Sequence, residues 1–401
     1  MGQPLTPANQ LPRLPTFPLI VLAGAIFVSV TGEFLPTGLL PDMAADLGVS
    51  VSQTGILVTV FAATVVLTTT PLAALTRRFP RKHLVVVVML ANTLANVGAA
   101  LAPSYELLVV ARIFGGLCHG LFWAVVGAYA AHLVPKAQLA RALAISGAGG
   151  TAAFVLGVPA GTAIGHAVGW RLAFVVIGGF VLLLTLLVIR YLPPVDAHAR
   201  GPKEQEVSLR RDSSLPGVLG TALLIVILLT GQNIFYTYIA PFSIETADIS
   251  PDAVPGLLLL YGIAGAIGLV LAGVFGARYP VKSVAFFIAV TALSVLAIWL
   301  WPTAIVLYVG MLLTWGIAFG ALPALLQTRM MHVASLRIRD LAAAIQTTAF
   351  NFGIGVGALI GAVLIVPLGV DGLPLVSTVL IGTALVVFAV LSRRPRFPPL
   401  P

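Results

Sequence analysis

Charge is what this sequence has least of. Of its 401 residues only 9% are Asp, Glu, Lys or Arg, while 59% are hydrophobic. Soluble domains carry about 25% charged residues, so a water-soluble globule is excluded and a bilayer is the expected solvent. Cysteine is nearly absent as well. Cys118 stands alone in an apolar segment, which excludes an intramolecular disulfide and a cysteine metal cluster. No group of His, Cys, Asp and Glu has metal-ligand spacing. No nucleotide-binding loop, no soluble catalytic domain and no cluster of nucleophiles and acids is present, so neither an enzyme nor a cofactor is expected. A membrane-embedded enzyme or a sensor signalling to a partner is the reading these absences disfavour. The net charge of +9 forms no basic domain of its own, which disfavours a nucleic-acid partner. No signal peptide is expected: residues 1–10 are polar, and the first apolar segment is too long for a signal core.

Long apolar runs are what is there. A spanning helix takes about 20 apolar residues. Twelve segments qualify: 17–40, 51–75, 83–102, 105–131, 138–165, 170–192, 215–241, 253–277, 283–301, 303–328, 340–366 and 373–392. Internal Gly and Pro do not veto them, because membrane helices tolerate both. Basic residues fall almost entirely in the segments on one side, from Arg13 and Arg77–Lys82 to Arg393, Arg394 and Arg396. The other side has Arg171 as its one basic residue, and holds Asp42, Asp46, Glu106, Glu245, Asp248, Asp252 and Asp371. The excess of Lys and Arg on the cytoplasmic side places both termini in the cytoplasm. The longest polar interval, 193–214, lies at the midpoint and reads as a cytoplasmic linker. The expected division is a tail over 1–16, a six-helix bundle over 17–192, the linker, a second bundle over 215–392 and a tail over 393–401.

The two halves repeat at an offset of 200 residues. Arg78-Phe79-Pro80-Arg81-Lys82 matches Arg278-Tyr279-Pro280-Val281-Lys282, His132 matches His332, and Gly157 and Gly161 match Gly357 and Gly361. The paired histidines suggest a shared structural role. Two six-helix repeats in the same orientation are one plan of secondary transporters, with the binding site near midplane between the halves. The predicted fold is an all-α membrane protein of twelve transmembrane helices in two pseudo-symmetric bundles.

Glu33 stands inside the first apolar segment, whereas every other acid lies in a loop or at a helix end. A charge at bilayer depth costs a few kcal/mol and marks a functional site by default. An apolar wall favours its neutral form; a nearby guanidinium or cationic cargo favours the ionised one.

Four stretches resemble the major facilitator superfamily, in its twelve-helix drug:proton antiporter branch near the bacterial sugar-efflux permeases. Gly32 to Ala44 is similar to the branch's helix 1 signature. Ala73 to Lys82 is similar to the helix 2–3 loop, keeping Leu75, Arg78, Arg81 and Lys82 but with Arg77 where the family has Asp. Ala111 to Gly116 resembles the helix 4 motif with its arginine at Arg112. Gly157-Val158-Pro159-Ala160-Gly161 resembles the exporter signature of helix 5 with altered spacing. The resemblance implies the major facilitator fold and export of a small organic molecule, a sugar or an amphiphilic drug-like compound, in exchange for protons. It implies a monomer in the cytoplasmic membrane whose partners are cargo, protons and lipid. A uniporter or an uptake symporter is the alternative.

With helix 1 ending near Pro41, Glu33 lies roughly 12 Å below the outer end, and Arg112 roughly 9 Å below it on helix 4. Either the two exchange a proton for cargo, or they form a fixed strut; alternatively Arg112 holds helix 1 carbonyls. His119, one heptad beyond Arg112, is a relay candidate or a hydrogen-bonded packing residue. Candidate cargo contacts are Glu33, Arg112, Phe122, Trp123, Asn233, Tyr236, Tyr238, Trp315, Gln346 and Asn351, with Phe319 as a further aromatic wall; several are as readily packing residues. Arg78, Arg81, Lys82, Gly157, Pro159 and Gly161 are the candidates for gating, the glycines because small residues let helices approach and slide.

Overall fold

The computed structural model describes residues 14–76, 78–135, 138–194, 212–335 and 337–393, without the side chains of 127, 128, 130–132, 140, 340 and 393. Arg77, the Asp-replacing position of the helix 2–3 loop, thus lies outside the described residues, as do the side chain of His132 and most of the expected linker.

Among the described residues, twelve helical spans are long and apolar enough to cross a membrane. They are α1 (Thr16–Leu47), α2 (Val51–Leu75), α3 (Arg81–Leu101), α4 (Tyr105–Val126), α5 (Arg141–Val168), α6 (Trp170–Tyr191), α7 (Leu215–Glu245), α8 (Pro251–Arg278), α9 (Pro280–Leu300), α10 (Ile305–Val333), α11 (Leu341–Leu368) and α12 (Leu373–Ser392). Among the described residues there is no strand. Successive spans alternate between a basic face, with Arg78, Lys82, Arg278 and Lys282, and an acidic face, with Asp46, Asp248 and Asp371. The protein is a multi-pass membrane protein.

The repeated loop motif has a local reason. Pro80 caps the start of α3 and Pro280 opens α9. Proline suits a helix start because its missing N–H has no intrahelical partner there. Lys82 Nζ donates to the Ile189 carbonyl at 2.8 Å, fastening the start of α3 to the end of α6.

α1 and α7 are the central helices, each with 72% of its most apolar stretch buried. α1 corrects one expectation. It does not stop near Pro41 but runs through Pro36 and Pro41 to Leu47, where Gly48 takes a left-handed conformation with φ of 65°. The Gly32 carbonyl, four residues before Pro36 and so without its usual intrahelical donor, accepts a hydrogen bond from Arg112 Nη1 at 2.9 Å. The left-handed glycine is the real stop, since only there does the chain need positive φ.

α5 is not regular. Ala153–Gly157 forms a π-helical turn directly before Pro159. Such a wide turn is a common device at functional sites, and it gives the proline ring room that a regular turn denies.

The halves meet on the acidic side. Ser52 Oγ of α2 donates to the Ala362 carbonyl of α11 at 2.6 Å, and Thr59 Oγ1 donates to the Gly355 carbonyl at 3.1 Å. Leu40, Ile234, Tyr238, Ala362 and Leu373 form an apolar cluster joining α1, α7, α11 and α12 at that level. On the other flank Gly262 of α8 lies against the Phe154 and Val155 backbone of α5 so closely that a Cβ would strike it.

Candidate functional site

Beneath this seal the halves part around a chamber of about 440 Å³. Its wall takes Val30, Glu33 and Phe34 from α1, His119 and Trp123 from α4, and Thr151 and Phe154 from α5. From the second half come Gln232, Asn233 and Tyr236 of α7, Tyr261 of α8, Phe319 and Pro323 of α10, and Thr347, Phe350 and Asn351 of α11. Thr347, toward the basic-face end of α11, is exposed. Most of the wall is aliphatic, aromatic or glycine, with the polar groups gathered at the level of Glu33 and across from it on α7 and α8.

Because α1 is longer than its prolines suggest, Glu33 lies fourteen residues short of Leu47, about 21 Å along the axis. His119 lies fourteen residues past Tyr105, the start of α4. The two therefore sit at one depth and meet. Glu33 Oε2 is 3.2 Å from His119 Nε2, and both side chains are buried. Ser29 Oγ, one turn before Glu33, is 2.9 Å from His119 Nδ1. Trp123 Nε1, one turn beyond His119, donates to His119 Nε2 at 2.7 Å.

Arg112 reaches the same place differently. Its Nη1 donates to the Gly32 carbonyl and its Nη2 to the Glu33 carbonyl, both at 2.9 Å, and the guanidinium lies 4.2 Å from the centroid of the Phe61 ring. Of the alternatives for Arg112, the geometry is that of a fork holding α1 carbonyls; the acid of Glu33 pairs with His119. Among the described residues, Arg112 Nε is buried without a partner. It borders a second hollow of about 10 Å³, walled also by Glu33, Asn92 and Asn96. Glu33 is thus a wall of both spaces.

Across the chamber, α7, α8 and α10 carry an aromatic and amide network. Trp315 Nε1 donates to Gln232 Oε1, and Gln232 Nε2 donates to the Tyr261 hydroxyl, each at 2.8 Å. Tyr236 packs on Tyr261 with ring centroids 5.1 Å apart. Asn233, on the same wall, donates an amide N–H to the Leu229 carbonyl at 2.9 Å.

Of the residues named from sequence, Glu33, His119, Trp123, Asn233, Tyr236, Asn351 and Phe319 share the chamber wall. Five others stand outside it. Tyr238 is buried in the acidic-side cluster with its hydroxyl on the Ala358 carbonyl. Trp315 stacks behind the wall on Phe235 at 5.1 Å. Phe122 packs in the core of the first half. Gln346 does not border the chamber, and Arg112 borders only the small hollow. Gly157 abuts the Thr31 hydroxyl and Gly161 abuts Leu35, so both sit on the α1–α5 contact, while Pro159 is buried on another face of α5. Arg78 and Arg81 make no ion pair among the described residues. Sequence reasoning missed Tyr261, Phe154 and Phe350. Tyr261 and Phe154 are lone aromatics in apolar runs, and Phe350 stands two residues from Phe352 with no local signal showing which of the two faces the chamber.

Comparison with known proteins places this geometry. Residues 22–339 match the model of the Major Facilitator Superfamily. A protein of Mannheimia succiniciproducens described as a "probable sugar efflux transporter" is 31% identical over 94% of both chains. A Helicobacter pylori protein with the same description is 30% identical over 88% of this chain and 89% of its own. The crystal structure of a bacterial homolog of the human lysosomal transporter Spinster, inward-facing and unoccupied, superposes with a TM-score of 0.77 at 15% identity, covering 98% of this chain and 100% of that one. Its occupied, inward-facing counterpart gives 0.75 at 16% identity over 95% and 98%. A family model spanning most of the sequence, and relatives matched nearly end to end, make this chain a member of the Major Facilitator Superfamily, a family of membrane transporters.

Proposed function

We propose that this protein is a secondary active transporter that exports a small organic molecule across the cytoplasmic membrane in exchange for protons. The observation that carries the reading is Glu33: an acid at the middle of α1, one of the two most buried spans, on the wall of the large chamber and paired with a titratable histidine. A membrane protein keeps such a group where it does work. The positive-inside rule makes the basic face cytoplasmic. With the acidic-side contacts closed, the chamber then belongs to the cytoplasm-facing half of an alternating-access cycle. The two bundles, 17–192 and 215–392, rock as bodies about the central site while the 193–214 linker keeps them together.

The wall supports an amphipathic cargo. Apolar surface from Phe154, Phe319 and Phe350 faces a polar end made by Glu33, Asn233, Tyr236 and Tyr261. The sugar-efflux description of the two relatives favours a sugar or sugar-bearing compound over other cargo of that shape.

The test uses proteoliposomes. A panel of labelled sugars and amphiphilic cations is offered under an imposed proton gradient, with Glu33→Gln as control. Antiport requires that cargo accumulate on the acidic side of the membrane. Accumulation on the alkaline side means symport, and movement indifferent to the gradient means a uniporter; either result overturns the reading.

A further inference from the structure

His119 Nε2 faces two partners at once. Trp123 Nε1 lies 2.7 Å away and Glu33 Oε2 lies 3.2 Å away. An imidazole nitrogen offers either one lone pair or one hydrogen. The indole nitrogen only donates, so its bond requires the lone pair on Nε2, and the ring hydrogen then sits on Nδ1, directed at Ser29 Oγ at 2.9 Å. Facing that lone pair, Glu33 is compatible only as the carboxylic acid, whose O–H shares it. An ionised Glu33 needs a hydrogen on Nε2, and that hydrogen would point into the indole N–H. The Trp123–His119 bond and a charged Glu33–His119 bond therefore exclude one another.

Trp123 also lines the chamber, and is only partly buried. We propose that Trp123 is a positioning residue of the coupling step: its N–H holds the proton on Glu33, and a cargo hydroxyl or carbonyl that takes the N–H lets that proton cross to His119. In the crossing the Glu33 O–H bond breaks and the His119 Nε2–H bond forms. Acid and imidazole become carboxylate and imidazolium, with no net change in charge. His119 borders the chamber too, so the imidazolium can lose its proton to water there. Cargo entry and proton exit are then linked through one indole hydrogen.

The charged or titratable groups facing this pair are few. Arg112 of α4 is bound to the α1 carbonyls, and Tyr236 of α7 and Tyr261 of α8 bring phenols to the same wall. α2 offers Phe61, α3 offers Asn92 and Asn96, and α5 offers Thr151 and Phe154, none of which titrates.

The inference rests on Glu33 being the proton-exchange site, so its test separates the two. Full-length protein in lipid nanodiscs is titrated from pH 5 to 10, and the infrared band of protonated carboxyl groups is followed. Glu33→Gln identifies the Glu33 component. Trp123 is then replaced by 3-benzothienylalanine, which keeps the ring shape and lacks the N–H, and separately by Phe. The expected result is that the Glu33 band vanishes at a pH roughly half to one unit lower in both variants, the span set by one hydrogen bond. A band sensitive to Glu33→Gln whose midpoint does not move in the benzothienyl protein overturns the role of Trp123 alone. No such band at any pH in the range overturns the exchange reading and this inference with it.

Discussion

Glu33 of α1 and His119 of α4 sit level in the middle of the first half, 3.2 Å apart, each fourteen residues from the acidic-side end of its helix. The contact closes the chamber wall on one side, and it makes Glu33→Gln the most direct perturbation. Glutamine fits the space but carries no exchangeable acid. A gradient of one pH unit drives at most about tenfold accumulation in a one-for-one exchange. The wild-type protein should approach that ratio in proteoliposomes, and the Gln variant should fall to about one while still equilibrating cargo across the membrane.

Why the sequence pointed to Glu33 but left open whether Arg112 meets its acid or holds helix 1 carbonyls has a physical answer. Hydropathy marks where apolar helices lie, and that placed all twelve spans. It does not mark where a helix stops when the stop is a proline in lipid. Pro41 looks like an end, yet α1 runs on to Leu47 before the Gly48 cap, and Glu33 moves deeper by about two turns. Depth then selects His119. Tyr238 and Trp315 show the same limit sideways. They stand among chamber-lining neighbours on α7 and α10, but Tyr238 gives its hydroxyl to the Ala358 carbonyl and Trp315 its N–H to Gln232, and neither borders the chamber. Which face of a membrane helix looks at a partner is set by tertiary packing, and an all-apolar run carries no period to reveal it.

Gly157 supplies a test of the α1–α5 contact. It ends the π-helical turn, and a Cβ there would meet the Thr31 hydroxyl, itself bonded to the Phe27 carbonyl at 2.7 Å. Gly157→Leu should reduce transport to background while the protein still elutes as a single species with native helix content. Gly157→Ala, also crowded against Thr31, should be intermediate. Transport by the Leu variant at the wild-type rate would mean that α5 does not move against α1.

The acidic-side seal is open to measurement. Ser52→Ala and Thr59→Val each remove one hydrogen bond across the halves, worth about 1 kcal/mol, or a factor of about five in the ratio of closed to open forms. Spin labels on Ser104 and Asp371, in acidic-face loops of opposite halves, report that ratio as a distance distribution. The single native cysteine, Cys118, is buried and leaves the labelling selective. Each substitution should raise the long-distance population, and the double variant should raise it further.

At the basic face Asp212 accepts hydrogen bonds from the Ser214 backbone and hydroxyl and from the Ser335 hydroxyl. These hold its carboxyl below the usual carboxylate range, with Arg337 adding in the same direction. A lowered folded-state value means the stabilisation is present above the unfolded value, about 3.9, and is lost as pH falls through the lower folded value. Asp212→Asn should therefore lower the unfolding temperature at pH 7. The difference from wild type should shrink below about pH 4. Thermal melts in detergent across that range check both.

Arg112 decides between strut and coupling partner. Its two Nη groups bond successive carbonyls of α1, Gly32 and Glu33, while its face lies on Phe61. A planar fork can do all three at once; an ammonium on a flexible stem cannot. Arg112→Lys keeps the charge and breaks the fork. If Arg112 fastens α4 to α1, the Lys variant should melt earlier by an amount set by about 1–3 kcal/mol, the cost of leaving one buried carbonyl unpaired. The pH at which its remaining transport is half-maximal should then match the wild type, because Glu33 and His119 are untouched. A Lys variant of native stability whose pH profile moves would instead make Arg112 part of the proton exchange. The fork geometry predicts the first outcome.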